Sequence, residues 1–452
     1  MGARGGQDER DCTTPWFGAS RRGLEGGEFV VSGIVGIALA GGLGVRARPL
    51  TLSSPGNVRS KATVKLLGRP LIDWQVRALH EQGIDDFRVV AKGRENRFQI
   101  RDVLGYGDRH GVRVRYSRPR HDRANVGSGE STLRNLELWG LDGLALVFPT
   151  DSVFEFDLGA MVHAHRTSGA MLTVGSVRYN ATSVAGKYGV MVTDGDGWCT
   201  RFMEKPSLER IYSTVGRGRP VDTNAGLYLI DCSFFRRLLA TGRLVSMLSS
   251  RLDWGGDLLP WLIANGAPVL AWPINRFGDL GTPRDYLDTM RSVLGGDYPH
   301  LTKMLSDPMA DDVWIAESTL RMRDPSTGRT LLDKIRGGLV EIGPRVRIGQ
   351  DVEIGSGVRI AESDIGDGVD IGEGCDLRGV ACMDGAMIGA YARLRNTYIG
   401  TMTELDSVAS APVSIDGYAA LGDEVTIGRG MRLSGAIVYP GLAVPARERV
   451  SA

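Results

Sequence analysis

The last third of the chain repeats an aliphatic residue at every sixth position. The repeat runs through four groups, separated by a one-residue slip, a gap and a longer insertion: Ile342, Ile348, Ile354 and Ile360; Ile365, Ile371 and Leu377; Ile388 and Leu394; Ile415, Leu421, Ile427 and Leu433. This period fits neither a helix of about 3.6 residues per turn nor a simple two-sheet sandwich. It predicts a solenoid over residues 341–448, in which each short flat β-segment adds one inward aliphatic side chain to a continuous stack.

Residues 31–298 follow a different pattern, in which short β-rich runs alternate with helical ones. The runs are IVGIALA, a helix near Leu71 to Gln82, FRVVA, VRVRY and LALVFPTD. This alternation predicts a Rossmann-like α/β domain, with a mainly parallel sheet, helices on both faces and ligands at the carboxyl ends of the strands. A Pro- and charge-rich connector over 299–340 would join it to the solenoid, and we expect residues 1–30, rich in Gly and Arg, to be a disordered extension.

Composition excludes several classes of function. The 54 basic and 53 acidic residues leave a formal charge of +1, which gives no global footprint for nucleic acid or an anionic membrane. The five scattered cysteines contain no C-x-x-C pair, which argues against a disulfide framework or a zinc site and fits a reducing cytoplasm. No apolar run approaches the roughly 18 residues of a membrane helix. We therefore expect a cytoplasmic protein that binds any anion locally.

The exit of the first strand is a candidate phosphate loop. Gly41, Gly42 and Gly44 lie there, and only a backbone without Cβ can approach phosphate oxygens closely. The glycines alone would equally fit a tight turn. Further polar and glycine-containing segments follow in order: Arg46, Pro49-Leu50-Thr51, Lys61 and Gly68-Arg69-Pro70-Leu71-Ile72.

This series resembles the nucleotidyltransferases that join a sugar 1-phosphate to a nucleoside triphosphate. Matching segments continue along the chain: Gly127-Ser128-Gly129, Asp151 at a strand end, Tyr188-Gly189-Val190, Glu204-Lys205-Pro206, Asn224-Ala225-Gly226, the run WGGDLLP from Trp254 and the run FGDLGTP from Phe277. The six-residue repeat resembles the left-handed parallel β-helix of hexapeptide-repeat proteins. Together these likenesses cover nearly everything after residue 33.

The resemblance implies a role for each matching position. Gly41, Gly42, Gly44, Gly127 and Ser128 would bind the nucleotide; Asp151 and Asp279 would hold Mg²⁺; Arg46 and Lys61 would neutralise the β- and γ-phosphates; Gly189, Glu204, Lys205 and Asn224 would bind the sugar phosphate, with Lys205 placing its phosphate. A sugar phosphate and a triphosphate repel each other, so the chemistry needs charge screening and in-line alignment rather than a protein nucleophile. Taken singly, each residue could be a cap, a turn former or a solvated charge.

The chain departs from the family pattern beside the loop. Val45 stands where the family usually has Thr, and Lys61-Ala62 stands for Lys-Pro. Residues 56–60 look like an insertion, which makes Arg59 a rival for the role given to Lys61.

The sequence is compatible with several nucleoside triphosphate donors and several phosphate acceptors. The run from Arg48 to Pro55 favours guanylyltransferases of the GDP-mannose type, and hence GTP. Mannose or glucose 1-phosphate is the expected acceptor, with ATP as an alternative donor. A cyclitol such as valienol 1-phosphate, with GTP or ATP, would place the enzyme in antibiotic biosynthesis.

Acyl transfer and a non-catalytic regulatory role are the two alternative functions for a chain with this domain order. Acyl transfer by the solenoid is disfavoured, because residues 340–452 contain no histidine base. A non-catalytic regulatory paralogue should lose the metal carboxylates or the loop arginine, which are present here. The solenoid is then expected to make homo-oligomers.

Two smaller expectations concern His and Cys residues. His163 and His165, two positions apart, should lie at the surface, and Cys375 and Cys382 should be small buried residues of the solenoid.

Overall fold

A nine-stranded sheet organises the N-terminal part of the chain. The computed structural model describes residues 33–446, apart from 43, 55, 119–126, 245–246, 248–250, 311 and 325–326, so the predicted extension over 1–30 lies outside the described residues. The nine strands of this sheet are β1 (Val35–Ala40), β6 (Asp86–Ala91), β7 (Arg113–Tyr116), β8 (Leu144–Pro149), β10 (Leu172–Asn180), β11 (Val190–Thr193), β12 (Cys199–Met203), β13 (Pro220–Asp231) and β14 (Val269–Pro273). Three two-stranded sheets accompany it: β2 (Leu52–Ser54) with β3 (Asn57–Val58), β4 (Lys65–Leu66) with β5 (Arg69–Pro70), and β9 (Ser152–Glu155) with β15 (Arg276–Asp279).

The predicted parallel core of this sheet is confirmed. Strands β7, β6, β1 and β8 are neighbours and run parallel. Strand β13 lies antiparallel to β8 and also pairs with β10 and β11, while β14 runs parallel to β10. Because β1 and β8 are parallel neighbours, the residues that follow them, including Gly41 and Asp151, emerge at the same edge of the sheet.

Helices cover both faces of the sheet. They span Leu71–Glu81, Arg94–Leu104, Ser128–Trp139, Leu158–Ser168, Ala181–Val184, Leu208–Val215, Cys232–Ala240, Leu259–Ala264 and Pro283–Leu294. Successive residues of β1 alternate between the faces: Ile37 packs with Leu133 in one core, and Ala38 packs with Ile72 in the other.

The prediction for His165 was wrong. His163 is exposed as expected, but His165 is buried. Leu158, Met161, Val162 and His165 follow the spacing of one helix face, and that face packs on the sheet.

The C-terminal part is a parallel β-helix with three faces, as the six-residue period predicts. One face is the sheet β16 (Pro308–Ala310), β17 (Val313–Ile315), β19 (Val346–Ile348), β22 (Asp364–Ile365), β25 (Ala381–Cys382), β28 (Tyr398–Ile399), β31 (Ala420–Leu421) and β34 (Ile437–Val438). The second is β18 (Val340–Ile342), β21 (Val358–Ala361), β24 (Asp376–Arg378), β27 (Arg393–Arg395), β30 (Ser414–Asp416) and β33 (Arg432–Ser434). The third is β20 (Glu353–Ile354), β23 (Asp370–Ile371), β26 (Met387–Ile388), β29 (Glu404–Leu405), β32 (Thr426–Ile427) and β35 (Ala443–Val444).

Parallel register stacks the repeat residues directly on one another. Ile348 pairs with Ile365, Ile365 with Cys382, and Cys382 with Ile399. Cys375 and Cys382 are buried, as predicted. Strand β17, within the segment 299–340 that the sequence predicts as a connector, already pairs in parallel with β19. A single three-residue strand is too short to show the six-residue period. The same segment holds helices Pro299–Thr302, Glu317–Arg321 and Leu331–Arg336.

The two domains share a hydrophobic core. Tyr286, Met290 and other residues of the helix Pro283–Leu294 are fully buried in one cluster with β-helix residues Met383 and Tyr398. The rings of Tyr286 and Tyr398 meet edge to face with centroids 5.4 Å apart. The helix Pro283–Leu294 and the first face of the β-helix therefore pack as one unit.

Candidate active site

A cavity of about 620 Å³ opens at the carboxyl ends of β1 and β8. Its volume is in the range of small-molecule sites. All of the predicted site residues except Gly44 line it: Gly41, Gly42, Arg46, Lys61, Gly127, Ser128, Asp151, Gly189, Glu204, Lys205, Asn224 and Asp279. The structure thus brings together residues from eight separate segments of the sequence.

The glycines of the first loop differ in their surroundings. Gly41 and Gly42 are exposed in the cavity, and a Cβ on Gly42 would have no atom within 4 Å. Gly44 is buried with φ 66°, and a Cβ there would lie 2.7 Å from Thr51 Cγ2. The Thr51 hydroxyl donates to the Gly44 carbonyl at 2.8 Å. Gly44 therefore shapes the turn and does not face the cavity.

Two carboxylates meet on the floor of the cavity. Asp279, at the end of β15, lies opposite Ser152 of β9, and the Leu280 amide donates to the Asp151 carbonyl at 3.1 Å. This pairing fixes Asp279 beside Asp151. Burial, and then the negative charge of Asp151, raises the pKa of Asp279.

Polar side chains face each of these carboxylates. Lys61 Nζ lies 2.7 Å from Asp151 Oδ2. The Tyr188 hydroxyl donates to Asp279 Oδ2 at 3.2 Å, and burial raises the pKa of that hydroxyl. Both carboxylates are thereby held in place while part of their oxygen surface faces the cavity.

The donor set fits a hard divalent cation. Asp151 and Asp279 form an anionic site, in which burial and then the neighbouring charge raise the pKa of Asp279, and a bound cation would relieve this repulsion. Among the described residues, no group of three or more His, Cys, Asp or Glu side chains could hold a metal. Mg²⁺ held by Asp151 and Asp279 would therefore complete its shell with water or ligand phosphate oxygens.

The structure separates Lys61 from its rival Arg59. Lys61 lines the cavity, whereas Arg59 does not. The Arg59 guanidinium pairs with Asp423 of the β-helix and donates to the Leu50 carbonyl at 3.2 Å. Although they are two positions apart in the sequence, Lys61 faces the cavity and Arg59 faces the β-helix.

The predicted sugar-phosphate residues also line the cavity. Lys205 Nζ lies 3.4 Å from Glu204 Oε1. The Asn224 amide side chain donates to the Tyr228 hydroxyl at 2.8 Å and accepts from the Gly226 backbone at 2.8 Å, so its orientation is set. A Cβ on Gly255 would lie 2.6 Å from Glu204 Oε2, and a glycine there leaves room for the carboxylate.

Gly127 and Ser128 lie at the start of the helix Ser128–Trp139, where they line another part of the cavity. Gly127 has φ 92°, and a Cβ on it would lie 2.2 Å from the Leu252 carbonyl oxygen. Asp253 Oδ1 accepts from the Ser128 amide at 3.0 Å, and the Ser128 hydroxyl accepts from the Trp254 amide at 3.0 Å. The segment around Asp253 therefore caps this helix at the edge of the cavity.

Sequence reasoning assigned no role to several lining residues. Lys187 lines the cavity and pairs with Asp285 at 2.8 Å. Its position next to the Tyr188-Gly189 motif, in a chain with few lysines, is a signal that could have found it. Asp253 gave no such signal, because its partner Ser128 is 125 positions away.

Comparison with known proteins identifies both domains. A family model described as "Nucleotidyl transferase" matches residues 35–295, and one described as "GMPPB C-terminal domain" matches residues 335–449. No helix within the described ranges is long and apolar enough to cross a membrane.

Three curated relatives differ in the nucleotide that their names imply. The UTP–glucose-1-phosphate uridylyltransferase of Synechocystis sp. is 27% identical over 57% of this chain and 62% of its own length. The probable mannose-1-phosphate guanylyltransferase 3 of Oryza sativa subsp. japonica is 24% identical over 89% of this chain and 95% of its own length. The glucose-1-phosphate adenylyltransferase 2 of Alkalilimnicola ehrlichii is 28% identical over 52% of this chain and 56% of its own length.

Proposed function

Since this chain belongs to the nucleotidyl transferase family, we propose that it transfers a nucleotidyl group from a nucleoside triphosphate to a sugar 1-phosphate. A phosphate oxygen of the sugar phosphate attacks the α-phosphorus, the bond from that phosphorus to the bridging oxygen breaks, and pyrophosphate leaves. The observation that carries the proposal is the pair of carboxylates, Asp151 and Asp279, beside Lys61 in one cavity with Glu204 and Lys205.

The charges of the cavity suit both anionic substrates. Lys61 and the exposed Arg46 lie with the glycine loop, where they would neutralise the β- and γ-phosphates. Lys205, which also lines the cavity, would hold the phosphate of the sugar, and Glu204 and Asn224 would bind its hydroxyls. Holding two repelling anions in line is the main catalytic task in this chemistry.

Asp151 and Asp279 would hold the Mg²⁺ ion. The bound ion supplies positive charge to the phosphate oxygens as the leaving group takes on charge. Lys61, which contacts Asp151 at 2.7 Å, is then within reach of the same phosphates.

We propose GTP as the donor and mannose 1-phosphate as the acceptor. The rice guanylyltransferase relative aligns along both domains, the C-terminal match is to a domain named for such an enzyme, and the run from Arg48 to Pro55 points the same way. Glucose 1-phosphate with ATP, and valienol 1-phosphate with GTP or ATP, are the alternative pairs.

A substrate panel tests the proposal. Purified protein with Mg²⁺ would be assayed for pyrophosphate release from GTP, ATP, UTP, CTP and dTTP, each with mannose, glucose and valienol 1-phosphates. We expect release to be fastest with GTP and mannose 1-phosphate. Asp151→Asn protein, prepared in the same way, controls for contaminating activity. No release with any pair would refute the enzyme proposal, and preference for another pair would refute the substrate assignment alone.

A further inference from the structure

The inserted segment beside Lys61 is tied to the β-helix rather than to the cavity. Arg59 and Lys65 flank Lys61 in sequence, and each pairs with an aspartate of the β-helix: Arg59 with Asp423, and Lys65 with Asp384. Lys61 itself points the other way and contacts Asp151. The β-helix therefore holds the segment on both sides of the lysine that faces the cavity.

The two aspartates occupy equivalent turns of the β-helix. Asp384 follows β25 and Asp423 follows β31, which are separated by β28 in the sheet. Two strand spacings place the turns about 10 Å apart. The segment between Arg59 and Lys65 is thus fixed at two points on a rigid, regular surface.

Each aspartate uses one oxygen for the β-helix and the other for the segment. Asp423 Oδ1 accepts from the Thr401 amide at 3.1 Å, while Oδ2 faces Arg59. Asp384 Oδ1 accepts from the Asp367 amide at 3.2 Å, while Oδ2 faces Lys65. An aspartate-to-asparagine change can keep the first contact and remove the charge from the second.

The Arg59 pair is the more protected of the two. The side chains of Arg59 and Asp423 are 20% and 7% exposed, against 39% and 32% for Lys65 and Asp384. Solvent and salt screen the Arg59 pair less, so it should restrain the segment more strongly. The backbone next to it is also held, since Gln99 Oε1 accepts from the Ser60 amide at 2.7 Å.

We propose that Asp423, through Arg59, is a positioning residue for Lys61, so that the β-helix fixes the triphosphate-binding side of the active site. The kinetic part of this inference rests on the proposed function. Loss of the Asp423 charge should let residues 56–63 move, which leaves Lys61 less well placed for the triphosphate. The sugar-phosphate residues Glu204 and Lys205 follow β12, lie 3.4 Å from each other and should be unaffected.

Steady-state kinetics of Asp423→Asn test the inference. We expect KM for the triphosphate to rise about fivefold while KM for the sugar 1-phosphate stays within about twofold. Asp367→Asn is the matched control, because Asp367 occupies the equivalent turn of an earlier coil. Its carboxylate accepts from the Gln350 amide at 2.8 Å and lies 4.0 Å from Arg347, both within the β-helix, and it pairs with none of the described residues in 56–66. Equal effects of the two variants would overturn the proposal.

A double-mutant cycle separates positioning from general weakening of the β-helix. Arg59→Gln should raise KM for the triphosphate about as much as Asp423→Asn, and the double variant should be no worse than either single variant. Additive effects would show that Asp423 acts by a route other than Arg59, which overturns the inference.

Hydrogen–deuterium exchange of the substrate-free protein separates this inference from the proposed function. Asp423→Asn should speed exchange in a peptide covering residues 56–63, and Asp367→Asn should leave it unchanged. Unchanged exchange in Asp423→Asn would overturn the inference even in an active enzyme. Faster exchange in a protein without turnover would support the anchor and refute the enzyme proposal.

Discussion

Asp279 is a buried carboxylate that lies beside a second carboxylate, and a bound cation would relieve the repulsion between them. Its carboxylate is buried beside Asp151, and these two causes raise its pKa. We expect Asp279→Asn to lower turnover at least about 100-fold while leaving the free energy of unfolding of the substrate-free protein unchanged or higher, because a buried repulsion is removed. Pyrophosphate release and chemical denaturation measure the two effects.

Two results with Asp279→Asn would contradict this prediction in different ways. Full activity in Asp279→Asn would contradict the metal-binding role. A large loss of stability would show instead that the negative charge of Asp279 stabilises the fold, because an asparagine oxygen could still accept the hydrogen bond from Tyr188.

His165 makes stability depend on pH. Burial lowers the pKa of His165 from its ordinary 6.5 to about 4, and Nδ1 lies 2.8 Å from Thr173 Oγ1. Below pH 6.5 the unfolded chain takes up a proton that the folded protein refuses, so stability falls as the pH drops toward 4. Between about pH 7.5 and about pH 5 we expect wild type to lose about 2 kcal/mol more than His165→Gln. Urea denaturation at both pH values checks this, and equal losses would contradict it.

Single residues were predictable from sequence where the fold itself gathers them. Asp151 follows β8 of the parallel sheet, whose strand ends collect at one edge. Asp279 ends β15, which lies in a separate two-stranded sheet and pairs with β9 directly after Asp151. Lys61 and Arg59 could not be separated, because the partner of Arg59 is 364 positions away. His165 was misjudged from its spacing to His163, although its spacing to Met161 and Leu158 carries the helix period.

The helix Ser128–Trp139 depends on the glycine at its start. In Gly127→Ala the new Cβ would meet the Leu252 carbonyl at 2.2 Å with φ at 92°. We expect this change to lower the free energy of unfolding by about 2 kcal/mol and to raise KM for the triphosphate. Chemical denaturation and steady-state kinetics measure both.

Gly140, at the other end of the same helix, provides the matched control. It has φ 59°, but a Cβ there would meet no atom within 4 Å. Gly140→Ala should therefore cost only about 1 kcal/mol of backbone strain and leave KM unchanged. Equal losses in the two variants would mean that the contact with Leu252 is not what requires a glycine.

Among the elements, the β-helix was the most predictable, because the six-residue repeat marks the buried core position of each successive strand. The helix cap by Asp253 was not predictable, since it joins segments that no local pattern relates. Strand β17 was missed because it precedes the first full repeat.

At the scale of the whole molecule, the shared core predicts cooperative unfolding of both domains. Met290 is fully buried in the cluster that joins the helix Pro283–Leu294 to the β-helix. Met290→Ala should cost about 3 kcal/mol and move one calorimetric transition that contains both domains. Leu377→Ala, in the β-helix's own core, should move the same transition. Two resolved transitions, with only one shifted by each variant, would contradict a shared unit.

Sequence predicted the two domains but not their contact surface, because the cluster combines residues with no common period. Self-association through the β-helix stays a prediction.

The two ion pairs between the domains limit how this β-helix can change in evolution. A solenoid gains or loses length by whole coils, and partners on neighbouring coils here are 17 positions apart in one turn and 22 in another. The longer coil adds residues between strands but no extra strand, so Asp384 and Asp423 stay two strand spacings apart. A complete extra coil between them would move the aspartates apart by one strand spacing, about 5 Å, and unseat Arg59 or Lys65. Lineages that keep this anchor can therefore extend the β-helix beyond Asp423, but not between the two aspartates.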